Sequence, residues 1–181
     1  ESDSMAMISV VVRNNAVREA WNKELELVQE GKGTREWTLE QQKDILEKGR
    51  AYDENGKAFE GQHMKSAEMY PEYQGEPGNI QFLTRAEHLE AHDGNWQNPT
   101  NWYYNPVTKE KFDFGDGPFI PCEIIQLSTP IIEGQVEQVQ ETTIAQKVET
   151  TVNKENSHEN LTSKSTTIKA EPKLSFGGQL K

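Results

Sequence analysis

The chain has 181 residues, of which 33% are hydrophobic, and a formal net charge of −11. This leaves room for one domain of ordinary size plus additional chain, and argues against a single large core. No apolar run reaches the roughly 18 residues that a membrane-spanning helix needs. The single cysteine, Cys122, excludes an intramolecular disulfide framework and reads as a small apolar residue near a core edge. The start, Glu1 to Ser4, is acidic and polar and lacks the basic and cleavage-site features of a signal peptide.

Taken in order, Met5 to Val12 are apolar and end in β-branched residues, which suits a short strand or the remnant of a preceding segment. Residues 1–13 are therefore set apart as an N-terminal segment. From Asn15 to Glu30, Val17, Trp21, Leu25 and Val28 recur every three or four residues, predicting an amphipathic helix that Gly31 and Gly33 end. A second helix starts from Thr38, which caps toward Gln41, carries Leu39, Ile45 and Leu46, and stops at Gly49. Both helices read as packing elements that buttress the central stretch, residues 61–92, and hold Trp37 against it. Asp53-Glu54-Asn55-Gly56 is a turn signal between Arg50–Tyr52 and Lys57–His63, predicting a hairpin whose second strand delivers Gln62 and His63. A Pro-bounded loop from Ser66 to Gly78 then crosses to Asn79.

Thr84-x-x-Glu87 is a capping box, so a third helix is predicted from Thr84, with Asp93-Gly94 as its stop. His88 and His92 are one turn apart on one face of it, close enough to share a metal ion. After a turn at Asn98–Asn101, Trp102–Tyr104 and Lys109–Phe114 form another hairpin; its aromatics read first as cross-strand packing and second as a surface for stacking nucleobases. Ile124 and Ile125 suggest a last edge strand. From about Gln126 the chain turns to Gln, Glu, Thr, Lys, Ser and Asn, a composition that does not offset its own chain entropy. Residues 126–181 are accordingly expected to be a low-complexity, disordered tail, in which His158 has no ligand partner at helical spacing.

Gly61-Gln62-His63-Met64, Tyr70-Pro71-Glu72, Gly78-Asn79-Ile80, Glu87-His88 and His92 together resemble the HNH (ββα-metal) nucleases, in particular the GHH-type toxin domains of bacterial polymorphic and contact-dependent toxins. The resemblance covers about residues 34–114. It implies an α+β fold: a two-stranded hairpin and a helix holding one divalent metal ion (Zn, Mg, Mn or Ni), with N-terminal helices before this core and a β-hairpin after it, within residues 14–125. By position it implies His63 as general base and Asn79 as the residue that ties the loop down and orients that base. His88 and His92 would be metal ligands, and Gln62 stands where the family has a further metal-binding His. An amide oxygen is a poorer ligand than imidazole for zinc-like ions, though it can bind harder ones. Gln62 is thus either a natural variant with altered metal preference or a change that silences a toxic enzyme.

The function implied is a metal-dependent endonuclease, acting on DNA rather than RNA, as the toxic domain of a bacterial effector. Such a domain would be delivered as part of a larger toxin, act in the target-cell cytoplasm as a monomer, and meet a cognate immunity protein. Lys65 or Arg85 could help neutralise the phosphate. Against this stands the charge: residues 13–125 carry 13 Lys and Arg against 21 Asp and Glu, a balance of −8, whereas nucleic-acid binders are usually basic. Two alternatives remain open. One is a ββα-scaffold binding module, or immunity-protein-binding domain, that has lost catalysis; the other is a structural metal site, which would want four ligands and favour Cys.

Overall fold

The structure, a computed structural model, describes residues 2–131. The chain begins with α1, Ser2–Gln29, so Met5–Val12 are helix and not strand. The β-branched Val10–Val12 run is tolerated because helix propensity is a weak prior that tertiary contacts override. Ser9 Oγ donates to Gln74 Oε1 at 2.7 Å, and Val12 packs so close to Gly75 that a Cβ there would sit 2.9 Å from its Cγ1. Ala16, Ala20, Glu24 and Val28, four apart, are buried along one stripe of the helix with Trp21 beside them. Gly31, at φ +77°, turns the chain out of α1.

β1 (Lys32–Gly33) leads to α2 (Leu39–Lys48), which has the expected caps: the Thr38/Gln41 box at its start and left-handed Gly49 at its end. Glu24 anchors the connection, accepting from Thr34 N at 2.7 Å, Thr34 Oγ1 at 2.9 Å and Trp37 Nε1 at 2.7 Å. Trp37 then packs edge-on to Phe59 at 5.1 Å, and Trp21 stacks on Phe82 at 3.7 Å. Each such aromatic, burying about 150–250 Å², contributes on the order of 4 kcal/mol. Together with Ile45, Ala51, Ile80 and Leu127 they form the main core.

The turn at Asp53–Gly56 forms, with Asp53 N donating to the Lys57 carbonyl at 2.7 Å. It closes only a single bridge between Tyr52 and Ala58, not the predicted hairpin. β2 (Glu60–His63) pairs instead with β3 (Ile80–Leu83), antiparallel, with Gln62 opposite Gln81 and His63 opposite Ile80. The intervening loop is ordered by short 3-10 turns at Pro71–Tyr73 and Pro77–Asn79. α3 (Arg85–Ala91) comes directly after β3, opened by the Thr84/Glu87 capping box, with His92 at its C-cap. Arg35 holds Glu87 at 2.7 Å and the Phe82 carbonyl at 3.0 Å, fixing α3 to the core.

β4 (Trp102–Tyr104) and β5 (Lys111–Asp113) form the second hairpin. Here the packing reading holds for two of its aromatics: Tyr104 is buried with Leu83 and Ala91, and Trp102 Nε1 donates to the Ala91 carbonyl at 2.9 Å. β6 (Ile125–Gln126) pairs with β1. The folded part continues past Gln126: Leu127 and Ile131 are buried, and Gln42 bonds the Thr129 carbonyl at 2.9 Å and Ile131 N at 2.8 Å. The boundary at residue 126 thus cuts off a segment that packs on α2. The remainder of the expected tail, with His158, lies outside the described residues. The architecture is α+β, helices with small antiparallel sheets. Among the described residues no helix is long and apolar enough to cross a membrane.

Candidate active site

β2, β3 and α3 bring Gln62, His63, His88 and His92 to one place. Each histidine has a partner that fixes its ring. His88 Nδ1 donates to Glu60 Oε1 at 2.8 Å, leaving Nε2 as the lone-pair nitrogen. This carboxylate–histidine pairing is the usual support of a metal-binding imidazole. Burial pushes the His88 imidazole below its ordinary value, Glu60 pulls it back, and His92 and Arg85 push it down further. His92 Nδ1 donates to the Asn98 carbonyl at 2.8 Å. The two rings lie 5.2 Å apart, as one helical turn dictates.

Gln62 is 2% exposed and its amide lies between Thr100 and His92. Thr100 Oγ1 donates to the His63 carbonyl at 3.1 Å, so it offers only lone pairs to Gln62. The amide nitrogen of Gln62 therefore faces Thr100, at 3.1 Å, and its oxygen faces His92 Nε2, at 3.2 Å. Because His92 Nδ1 already carries its hydrogen, Nε2 of the neutral ring meets that oxygen lone pair to lone pair. Such a contact is closed by a proton on Nε2 or by a cation that both atoms bind. A divalent metal ion fits this donor set: Gln62 Oε1, His92 Nε2 and His88 Nε2 are the atoms left free of hydrogen. Among the described residues no group of three or more His, Cys, Asp and Glu is placed to hold a metal; the set on offer is two imidazoles and an amide.

His63 is the second partner of this site. Its Nε2 donates to the Gln74 carbonyl at 2.9 Å, which leaves Nδ1 to accept a proton. Burial pushes the imidazole below its ordinary value, the Gln74 carbonyl opposes this, and the charges of Arg13 and His88 add to it. A neutral ring with a free lone pair is the state a general base requires.

Asn79, fully buried, does not touch the His63 ring. Its Oδ1 accepts from Lys65 N at 2.9 Å, and its Nδ2 donates to the Lys65 carbonyl at 3.0 Å and the Tyr73 carbonyl at 3.4 Å. It clamps the end of β2 to the loop that carries Gln74, and it is the Gln74 carbonyl that orients the ring. Lys65 is not a phosphate contact. It is 2% exposed, with Nζ donating to Asn101 at 2.6 Å and lying 4.0 Å over Tyr70. Arg85 is exposed, beside Glu60 at 3.4 Å and over Trp96 at 4.5 Å. Sequence reasoning missed Glu60, Thr100 and Trp96. Trp96 covers both imidazoles, 4.8 Å from His88 and 5.5 Å from His92. It also missed the carbonyls of Gln74 and Asn98, which no side-chain pattern announces. Cys122 Sγ sits 3.8 Å from the Ile80 carbonyl, and burial pushes its thiol up to about 12, in keeping with a packing role.

Two imidazoles on a short helix and a third on β2 thus stand beside an ordered crossing loop. Residues 10–84 match the family described as GHH signature containing HNH/Endo VII superfamily nuclease toxin. The matched residues include Gln62, His63 and Asn79; His88 and His92 lie just beyond. The chain is also similar to eukaryotic teneurins: human Teneurin-4 at 31% identity over 86 residues, mouse Teneurin-4 at 33% over 78 and chicken Teneurin-1 at 35% over 78. These matches cover 47%, 42% and 42% of this chain, and the chain spans about 3% of the length of each relative.

Proposed function

We propose that this domain is a metal-dependent endonuclease that hydrolyses DNA and serves as the toxic part of a bacterial antibacterial effector, delivered within a larger toxin and neutralised by an immunity protein. β2, β3 and α3 are read as its ββα-metal core. The observation that carries the proposal is the convergence of three imidazoles whose tautomers are each fixed, two with Nε2 free beside Gln62 Oε1 and one with Nδ1 free.

In this reading Gln62, His88 and His92 hold one divalent ion, with Glu60, Asn98 and Thr100 fixing their orientation. When bound, such an ion would supply charge neutralisation at the phosphate and would stabilise the leaving oxygen. His63 Nδ1 takes the proton of the attacking water, while the Gln74 carbonyl keeps Nε2–H from rotating away. Asn79 holds the loop that presents this carbonyl. Trp96 shields the two ligand imidazoles, which lowers the dielectric around them.

The second reading, a binding module that has lost catalysis, is favoured by Gln62 at a usual imidazole position and by the similarity to teneurins. Plasmid nicking by this protein and its Gln62→His variant, across Mg, Mn, Zn and Ni, separates the two. Cleavage by both makes Gln62 a working ligand; cleavage by the variant alone makes it the silencing change. Cleavage by neither, with metal bound and with RNA also intact, refutes the nuclease.

A further inference from the structure

The domain is acidic, yet its unpaired cations are not scattered. Lys32, Arg35, Lys43, Lys48, Arg85, Lys109 and Lys111 each have an ion pair. Among the described residues, those with none are Arg13, Arg18, Lys23, Arg50, Lys57 and Lys65. Lys65 is buried in its aromatic cage; Arg18, bonded to Asn15 at 2.6 Å, and Lys23, in a pocket with Glu24, Glu26 and Glu30, lie elsewhere on α1. Arg13, Arg50 and Lys57 all lie along β2.

α1 runs beside that strand, and residues 13, 17 and 21 share one face of the helix. Val17 packs against Gly61, where a Cβ would lie 2.8 Å from its Cγ1. Arg13 reaches the His63 end: its Nη1 donates to Ser9 Oγ at 3.3 Å, Ser9 Oγ donates to Gln74 Oε1 at 2.7 Å, and the Gln74 carbonyl holds the His63 ring. At the other end Val17 and Trp21 form one wall of a cleft of about 520 Å³, opposite Arg50 and the stretch Asn55–Gly61. Arg50 and Lys57 are exposed on its rim. Its one carboxylate, Glu60, is already held by His88 and Arg85. Trp21, buried in the wall, carries the one side-chain donor among the described buried residues that has no acceptor.

We infer that this cleft is a strand-binding groove for the nucleic-acid substrate, in which Arg50 and Lys57 hold backbone phosphates flanking the one to be cut and Arg13 holds the strand where it reaches His63. The inference rests on the nuclease reading and says which face of the domain carries the substrate. It also answers the charge objection. Cations committed to internal ion pairs do not release counterions from a nucleic acid, so affinity depends on the few that are free and aligned, not on the net balance. Glu60 joins the groove to the catalytic site, since the residue at its edge is the one that orients His88.

The test is fluorescence anisotropy of labelled duplex DNA, single-stranded DNA and RNA with the whole chain, in chelator so that nothing is cut, across a salt series. The slope of log affinity against log salt should fall by about 0.9 on duplex, or about 0.7 on single strands, for each phosphate contact removed. Arg50→Ala and Lys57→Ala should each lower it by one such step, and the double variant by two. Lys43→Ala, whose lysine is paired with Glu47 on α2, should leave it unchanged. Both groove residues are exposed, so the variants should melt with the parent. A double variant with the parent's slope overturns the groove while leaving the nuclease reading intact. A parent that binds none of the three probes also overturns the groove, and plasmid nicking with metal present then decides the nuclease reading.

Discussion

Asn79→Ala offers the sharpest test of how the site is held together. The side chain is fully buried and closes a two-way bond with the backbone of Lys65, at 2.9 Å from N–H and 3.0 Å to the carbonyl, with a longer contact to the Tyr73 carbonyl at 3.4 Å. Truncation leaves the Lys65 N–H and carbonyl buried without partners. At about 1–3 kcal/mol for each such group, the loss should come to about 3 kcal/mol. For a domain of this size that lowers Tm by roughly 10 °C. Asn79→Asp should not rescue it. The carboxylate keeps the acceptor for Lys65 N but sets its second oxygen against two carbonyls, a buried charge facing like dipoles. Differential scanning calorimetry and urea melts of the parent and both variants measure the effect. A loss below 1 kcal/mol in Asn79→Ala, or an Asp variant as stable as the parent, would refute the clamp. In the proposed function, zinc binding at His88 and His92 should survive in whatever fraction remains folded, because Asn79 bonds the backbone of Lys65 and Tyr73 and neither of these residues.

The same geometry sets other outcomes. Because burial, Arg13 and His88 hold the His63 imidazole below its ordinary value of about 6.5, and a base works only when unprotonated, cleavage should rise with pH through a midpoint below 6.5 and be level by about pH 7. A midpoint at or above 6.5 in an active background removes His63 as the base. Glu60→Gln should weaken divalent-metal binding about 10- to 100-fold by calorimetric titration, the usual cost of removing a carboxylate behind a ligand imidazole; unchanged affinity would show that His88 is not a ligand. Gly61→Ala should destabilise the domain by about 1–3 kcal/mol, since its Cβ would meet both Val17 methyls at 2.8 and 2.9 Å. A variant that melts with the parent would mean that α1 yields at this point.

The helix starts were readable because capping is local chemistry: Thr38 with Gln41 and Thr84 with Glu87 form the boxes their spacing announces. The i, i+4 histidines were readable for the same reason. What could not be read was anything set by distant contacts. Val10–Val12 carry a β-strand composition but lie in α1, where Val12 packs on Gly75 and Ser9 bonds Gln74, partners more than sixty residues away. The turn at Asp53–Gly56 was legible, but it says nothing of the partner that Glu60–His63 selects across a loop of sixteen residues. Polar composition likewise hid the packing of Leu127 and Ile131, which depends on Gln42 receiving the backbone of that segment. In the candidate site, Gln62, His63, His88 and His92 were visible as residue types. Their orienting partners were not, because two of them are backbone carbonyls supplied by loops.

The surroundings of Gln62 limit what this residue can do in the proposed function. Thr100 spends its hydrogen on the His63 carbonyl and so demands a donor from position 62. His92, with Nδ1 committed to Asn98, presents a lone pair there. An amide satisfies the first demand with its nitrogen and turns its oxygen toward the second. An imidazole would do the same with its two nitrogens, one N–H to Thr100 and one lone pair toward His92. The two residues thus carry the same kinds of group and differ in what they offer a cation. The amide offers a neutral oxygen suited to hard ions, and the imidazole a nitrogen suited to Zn and Ni. The Gln62→His variant should accordingly fold and melt like the parent while shifting its metal order toward Zn and Ni. A parent that already prefers Zn to Mg and Mn by the same margin as the variant would show that position 62 does not touch the metal.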